Sequence, residues 1–109
     1  NCHVIHNNSF KTPTGFGIDT WHQDDAPHYL VTEGEPPKNV RLPVLFFTAN
    51  YYLTDVTAPE NGGTEVIPGS HLFGAPCPPV IEGTKWESQV QYNCGGAGSV
   101  VLFNNQLQN

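Results

Sequence analysis

Hydrophobic and polar residues alternate most regularly over residues 42–54. Leu45, Phe47, Ala49, Tyr51 and Leu53 form an unbroken apolar row, while Val44, Phe46, Thr48, Asn50, Tyr52 and Thr54 between them are mixed. A period of two is that of an extended chain, whose successive side chains leave on opposite faces. The pattern predicts a strand with its apolar face packed outward and its semi-polar face lining a site. Shorter signals predict further strands at 1–10 (around Val4 and Ile5), 19–23, 64–67, 86–92 and 99–103. Nothing repeats at 3.6 residues, so no amphipathic helix is available to cover the outer apolar row. That cover is expected from chain outside this sequence or from a second copy, a homo-oligomer.

Ten prolines and eleven glycines punctuate the 109 residues and cut the strands short. Turns are expected at 57–63, at Pro68-Gly69, and at 93–98, where Gly95-Gly96-Ala97-Gly98 precedes a strand and so is not a dinucleotide loop. Residues 26–43 hold four prolines and read as a long excursion of the kind that serves as a lid. Short strands and frequent turns give an all-β fold, a sandwich or barrel.

Charge narrows the partners. The formal net charge is −6, with only four lysines and arginines, which excludes nucleic acid and anionic membranes as partners. No apolar run approaches the roughly 18 residues of a membrane span, and no signal-peptide pattern opens the chain. The three cysteines, Cys2, Cys77 and Cys94, are odd in number and lack CxxC spacing, which points to reduced thiols and a cytoplasmic location. There is no methionine, and the sequence opens Asn1-Cys2-His3. It is therefore expected to be a piece of a longer product: one domain over 1–109, or a fragment of one, with no linker.

The first candidate chemistry is His22-Gln23-Asp24. On extended backbone, residues two apart share a face, so imidazole and carboxylate project together. They supply two donors of the two-histidine, one-carboxylate triad that leaves positions open on a non-haem Fe(II). Alone the tripeptide reads more readily as a surface or loop histidine beside a turn aspartate.

Its context is more specific. Phe10-Lys11-Thr12-Pro13, a glycine-bearing loop and Trp21-His22-Gln23-Asp24-Asp25 are followed by Asp55-Val56-Thr57-Ala58-Pro59-Glu60-Asn61-Gly62-Gly63-Thr64-Glu65-Val66-Ile67-Pro68-Gly69-Ser70-His71 and then by Gly98-Ser99-Val100-Val101-Leu102-Phe103. In this order and over nearly the whole chain, the three blocks resemble the phytanoyl-CoA dioxygenase family of Fe(II)/2-oxoglutarate oxygenases. The resemblance implies a double-stranded β-helix, a cupin-like jelly roll, here an incomplete core without flanking helices. It implies Fe(II) and 2-oxoglutarate as cofactors, O₂ as co-substrate and hydroxylation of a small-molecule substrate.

By the same resemblance His22 and Asp24 are the metal ligands and the catalytic pair. Lys11 matches a lysine that contacts 2-oxoglutarate in some members, and Asn50 falls where relatives often carry a cofactor-side tryptophan. His71 belongs to a fold signature and is not a ligand. Trp21 and Trp86 are packing anchors. The register of the family's distal histidine falls on Asn109 or just beyond it, and the arginine that grips 2-oxoglutarate comes later still. An amide is a poor substitute for imidazole, and two protein ligands hold Fe(II) weakly. The alternative is therefore a catalytically inactive β-sandwich that binds a ligand, with a cupin-like metal protein using other histidines as a third reading.

Overall fold

The computed structural model describes residues 2–18, 20–25, 41–73, 78, 80–107 and 109. The excursion expected at 26–43 lies mostly outside them. Among the described residues the chain is all-β, made of strands β1 (Phe47–Tyr51), β2 (Thr64–Val66), β3 (Gln91–Asn93) and β4 (Val100–Asn104), with single 3₁₀ turns and no α-helix. Among the described residues no helix is long and apolar enough to cross a membrane.

Strands β1 and β4 pair antiparallel, Phe47 opposite Asn104 and Tyr51 opposite Val100; β2 and β3 pair likewise, Thr64 opposite Asn93 and Val66 opposite Gln91. A bridge between Val56 and Gly95 and the hydroxyl of Tyr52 tie the two ribbons together. That hydroxyl donates to the Asn93 carbonyl (2.6 Å) and accepts from the Thr64 amide (3.1 Å). Gly63 permits the close approach: a Cβ there would stand 2.7 Å from the Asn93 carbonyl oxygen.

The turns follow their sequence signals. Pro59–Asn61 is a 3₁₀ turn closed by Gly62 at φ 85°, and Gly69 at φ 80° opens a second turn over Ser70–Leu72. The buried cluster is Ile67, Ile81 and Trp86, against which Trp21, Phe73 and Val90 pack. Phe73 and Trp86 meet edge to face with centroids 5.0 Å apart. Both tryptophans are thus packing anchors, as expected.

Four strand expectations need correction, the first at 19–23, whose described residues 20–23 belong to no strand. Residues 2–10 form no strand, and Val4 and Ile5 are exposed; alternation without a neighbouring edge to bond gives no ladder. The strand expected at 86–92 is a 3₁₀ turn over Glu87–Gln89, with β3 starting only at Gln91. Local bonds hold that turn: Glu87 Oε2 accepts from the Gly83 amide, and the Gln89 amide nitrogen donates to the Lys85 carbonyl. The strand expected at 42–54 is regular only over β1. Past Asn104 its partner bends into a turn, the Leu107 amide donating to the Asn104 carbonyl (2.8 Å), so that Phe46 keeps one long bond from the Asn105 amide (3.4 Å) and residues 42–45 join no ladder.

The alternation within β1 holds. Phe47, Ala49 and Tyr51 stand exposed on one face with Val100 and Leu102, while Thr48 and Asn50 are half-buried on the other, beside Val101 and buried Phe103.

Candidate metal centre

The segment carrying His22 and Asp24 is extended but is held by few ladder bonds. His22 and Asn109 exchange backbone hydrogen bonds in both directions (2.9 and 3.0 Å), and the Asp25 amide donates to the Asn105 carbonyl (3.0 Å). Residues 22–25 therefore lie antiparallel to the chain that leaves β4. The Gln23 side chain adds a bond to the Gln106 carbonyl, and buried Gln106 in turn donates to the Pro43 carbonyl (3.2 Å). Trp21, packed on the core cluster, anchors the segment from the other side.

On this frame His22 Nε2 and Asp24 Oδ1 come within 3.4 Å, both side chains remaining partly exposed. The other ring nitrogen, Nδ1, lies 3.1 Å from the Thr20 carbonyl. A carbonyl only accepts, so Nδ1 carries the proton, and in the neutral ring Nε2 presents a lone pair. That lone pair faces a carboxylate oxygen. Two electron-rich atoms so close repel each other unless a proton or a cation lies between them. The separation matches two neighbouring donors on one divalent ion, each roughly 2.1 Å from it. The donor chemistry and geometry of this pair thus fit a first-row metal.

The other oxygen of Asp24 faces β1. Thr48 Oγ1 lies 3.5 Å from Oδ2 and donates a shorter bond, 2.7 Å, to Asn105 Oδ1. Neither Thr48 nor Asn105 was singled out by its sequence. Thr48 sits on the mixed face two residues before Asn50, so the alternation alone assigned it to the site side. Its contact with Asn105 depends on the β1–β4 pairing.

The remaining expected site residues are dispersed. Asn109 is beside His22 in the backbone, and its side-chain amide, turned so that its nitrogen faces them, donates to the carbonyls of Leu107 (3.2 Å) and His22 (3.1 Å). Asn50 shares the inner face with Thr48, opposite Val101. Lys11 is exposed in a groove formed by its own loop, between Phe10 and Ile18, and among the described residues no bond joins it to His22 or Asp24. His71 stays away from the pair in the Ser70–Leu72 turn, its Nδ1 buried without a hydrogen bond. No set of three histidine, cysteine, aspartate or glutamate side chains converges among the described residues.

A separate cleft of about 320 Å³ opens beyond Trp21, with Glu65, Glu82, Glu87 and Tyr92 in its wall. Burial there pushes the Glu65 carboxyl above its ordinary value of 4.5.

The phytanoyl-CoA dioxygenase (PhyH) family model matches residues 2–108, nearly the whole chain. The chain belongs to the phytanoyl-CoA dioxygenase family. No curated protein and no solved structure matches it. Family membership bears out the resemblance drawn from the three blocks, and it makes this an oxygenase-like chain.

Proposed function

We propose that the chain is the core of an Fe(II)/2-oxoglutarate-dependent dioxygenase that hydroxylates a small organic substrate, on a double-stranded β-helix. The observation that carries this reading is the convergence of His22 Nε2 and Asp24 Oδ1, with the ring tautomer set by the Thr20 carbonyl. His22 and Asp24 hold the metal. When bound, Fe(II) with 2-oxoglutarate supplies O₂ activation coupled to loss of CO₂ from the oxoacid.

The chain's own residues do the positioning. Thr20 keeps the His22 proton on Nδ1 and leaves Nε2 free to donate. Asp24 supplies the negative charge that holds a divalent cation in a partly exposed site. Asn50, on the inner face of β1, faces the cofactor side, and Lys11 offsets oxoacid charge. Asn109 holds the distal register, where its amide contributes at most a weak oxygen donor.

The engagement of that amide with two backbone carbonyls favours a second reading, a relative that binds ligand without turnover. Anaerobic titration separates the two. Fe(II) with 2-oxoglutarate is expected to give a visible charge-transfer band that His22→Ala abolishes. A folded chain with no band supports the non-catalytic reading, and metal uptake indifferent to 2-oxoglutarate supports a cupin-like metal protein.

A further inference from the structure

We infer that Thr48, backed by Asn105, is a positioning residue for Asp24: when the Asn105 amide is turned to donate to the Thr48 hydroxyl, that hydroxyl holds the carboxylate oxygen turned away from His22, so that Asp24 meets a metal through one oxygen only. This rests on the reading of His22 and Asp24 as metal donors.

The carboxylate is divided between two neighbours. Oδ1 faces His22 Nε2 at 3.4 Å, and Oδ2 faces Thr48 Oγ1 at 3.5 Å. A threonine hydroxyl has a single proton, and here two acceptors compete for it. The 2.7 Å bond to Asn105 Oδ1 takes it, and Asp24 keeps only a long contact. Rotating the Asn105 amide by half a turn reverses the arrangement. The amide nitrogen then donates to the hydroxyl oxygen, and the hydroxyl proton is released toward Asp24 Oδ2. The trio thus has two hydrogen-bond states, and the second ties down the oxygen that a metal does not need.

The surroundings make this a clamp and not a chance contact. Thr48 is β-branched, half-buried and paired opposite buried Phe103, so its hydroxyl has little freedom to swing away. Asn105 holds the Asp24 segment a second time, its backbone carbonyl accepting from the Asp25 amide at 3.0 Å. One residue therefore references both the backbone beside Asp24 and the hydroxyl beside its carboxylate. A carboxylate fixed through one oxygen leaves a coordination position open that a two-oxygen carboxylate would fill, and open positions are what co-substrates require.

The test uses the full chain, titrated with Mn(II) for affinity and Co(II) for its visible spectrum, with circular dichroism to establish folding. Thr48→Val keeps the shape and removes the hydroxyl. It is expected to weaken Mn(II) binding about tenfold, as loss of a partner to a ligating carboxylate does, and to shift the Co(II) bands as Asp24 rotates onto the metal with both oxygens. Thr48→Ser is expected to restore both properties, and Asn105→Ala, which leaves the backbone bond intact, to weaken binding less than Thr48→Val. Wild-type affinity and an unchanged Co(II) spectrum in folded Thr48→Val overturn the clamp while leaving the metal reading in place. Failure of the unaltered chain to bind either ion, or equal binding by His22→Ala, overturns the metal reading and the clamp with it.

Discussion

The two faces of the β1–β4 ribbon share one backbone and one register but have different neighbours. On the inner face Phe103 is 6% exposed and Thr48 reaches Asp24 and Asn105; on the outer face Phe47 and Leu102 are 66% and 67% exposed. Leu102 and Phe103 are adjacent in sequence and both large and apolar, so hydrophobicity does not separate them. What separates them is which face the 22–25 segment and the linked ribbons cover. Alternation determines which side chains stand together, and the rest of the chain determines which set is buried. Candidate chemistry gathers where the cover is, because only there are polar groups held in fixed relation.

The largest effect that tests this contrast is at Phe103. Phe103→Ala is expected to cost about 3–5 kcal/mol of stability, measured by denaturant unfolding. Leu102→Ser, one residue away, is expected to change stability by less than about 0.5 kcal/mol. Equal losses at the two positions would mean that the outer face is covered in solution, and a concentration-dependent loss at Leu102 would identify a second copy as the cover.

An intermediate effect is expected at the junction between the ribbons. Gly63→Ala places a methyl 2.7 Å from the Asn93 carbonyl oxygen, and is expected to cost about 1–3 kcal/mol. A neutral result would mean that the ribbons are not packed closely at that corner.

The smallest effect concerns Glu65 on β2, whose carboxyl burial holds above its ordinary value of 4.5. In the pH range just above 4.5 the folded chain binds the proton more tightly than the unfolded chain does, so this residue makes stability fall as pH rises through that range. Glu65→Gln is expected to raise Tm slightly at neutral pH and to flatten that dependence. A lower Tm at neutral pH would mean that the ionised carboxylate has a favourable partner.

Much of this was readable from residue order alone. The turns at Gly62 and Gly69 follow from glycine and proline, and β4 follows from the apolar run after Gly98. The side-by-side projection of His22 and Asp24 follows from extended geometry, even though these residues belong to no regular strand. The placing of the distal register at Asn109 came from the family resemblance; the structure shows only that its backbone pairs with His22. Other features were not legible because they depend on distant partners. The Thr48–Asn105 bond joins residues 57 apart, and no local pattern encodes it. The failed strand at 2–10 shows the reverse: its local pattern was present, but no edge accepts it. Lys11, matched by family resemblance, directly follows that segment, in a groove formed by its own loop.

The central claim is that His22 and Asp24 share one divalent ion through Nε2 and a single carboxylate oxygen. Nitrogen NMR of the ¹⁵N-histidine-labelled chain, titrated with substoichiometric Mn(II), tests it most directly. The account predicts that before metal the His22 ring is the Nδ1-protonated tautomer, and that Mn(II) then broadens His22 Nε2 first while His3, His6 and His71 stay sharp, an effect that Asp24→Ala removes. Broadening that begins at another histidine, or that is equal with and without Asp24, contradicts it.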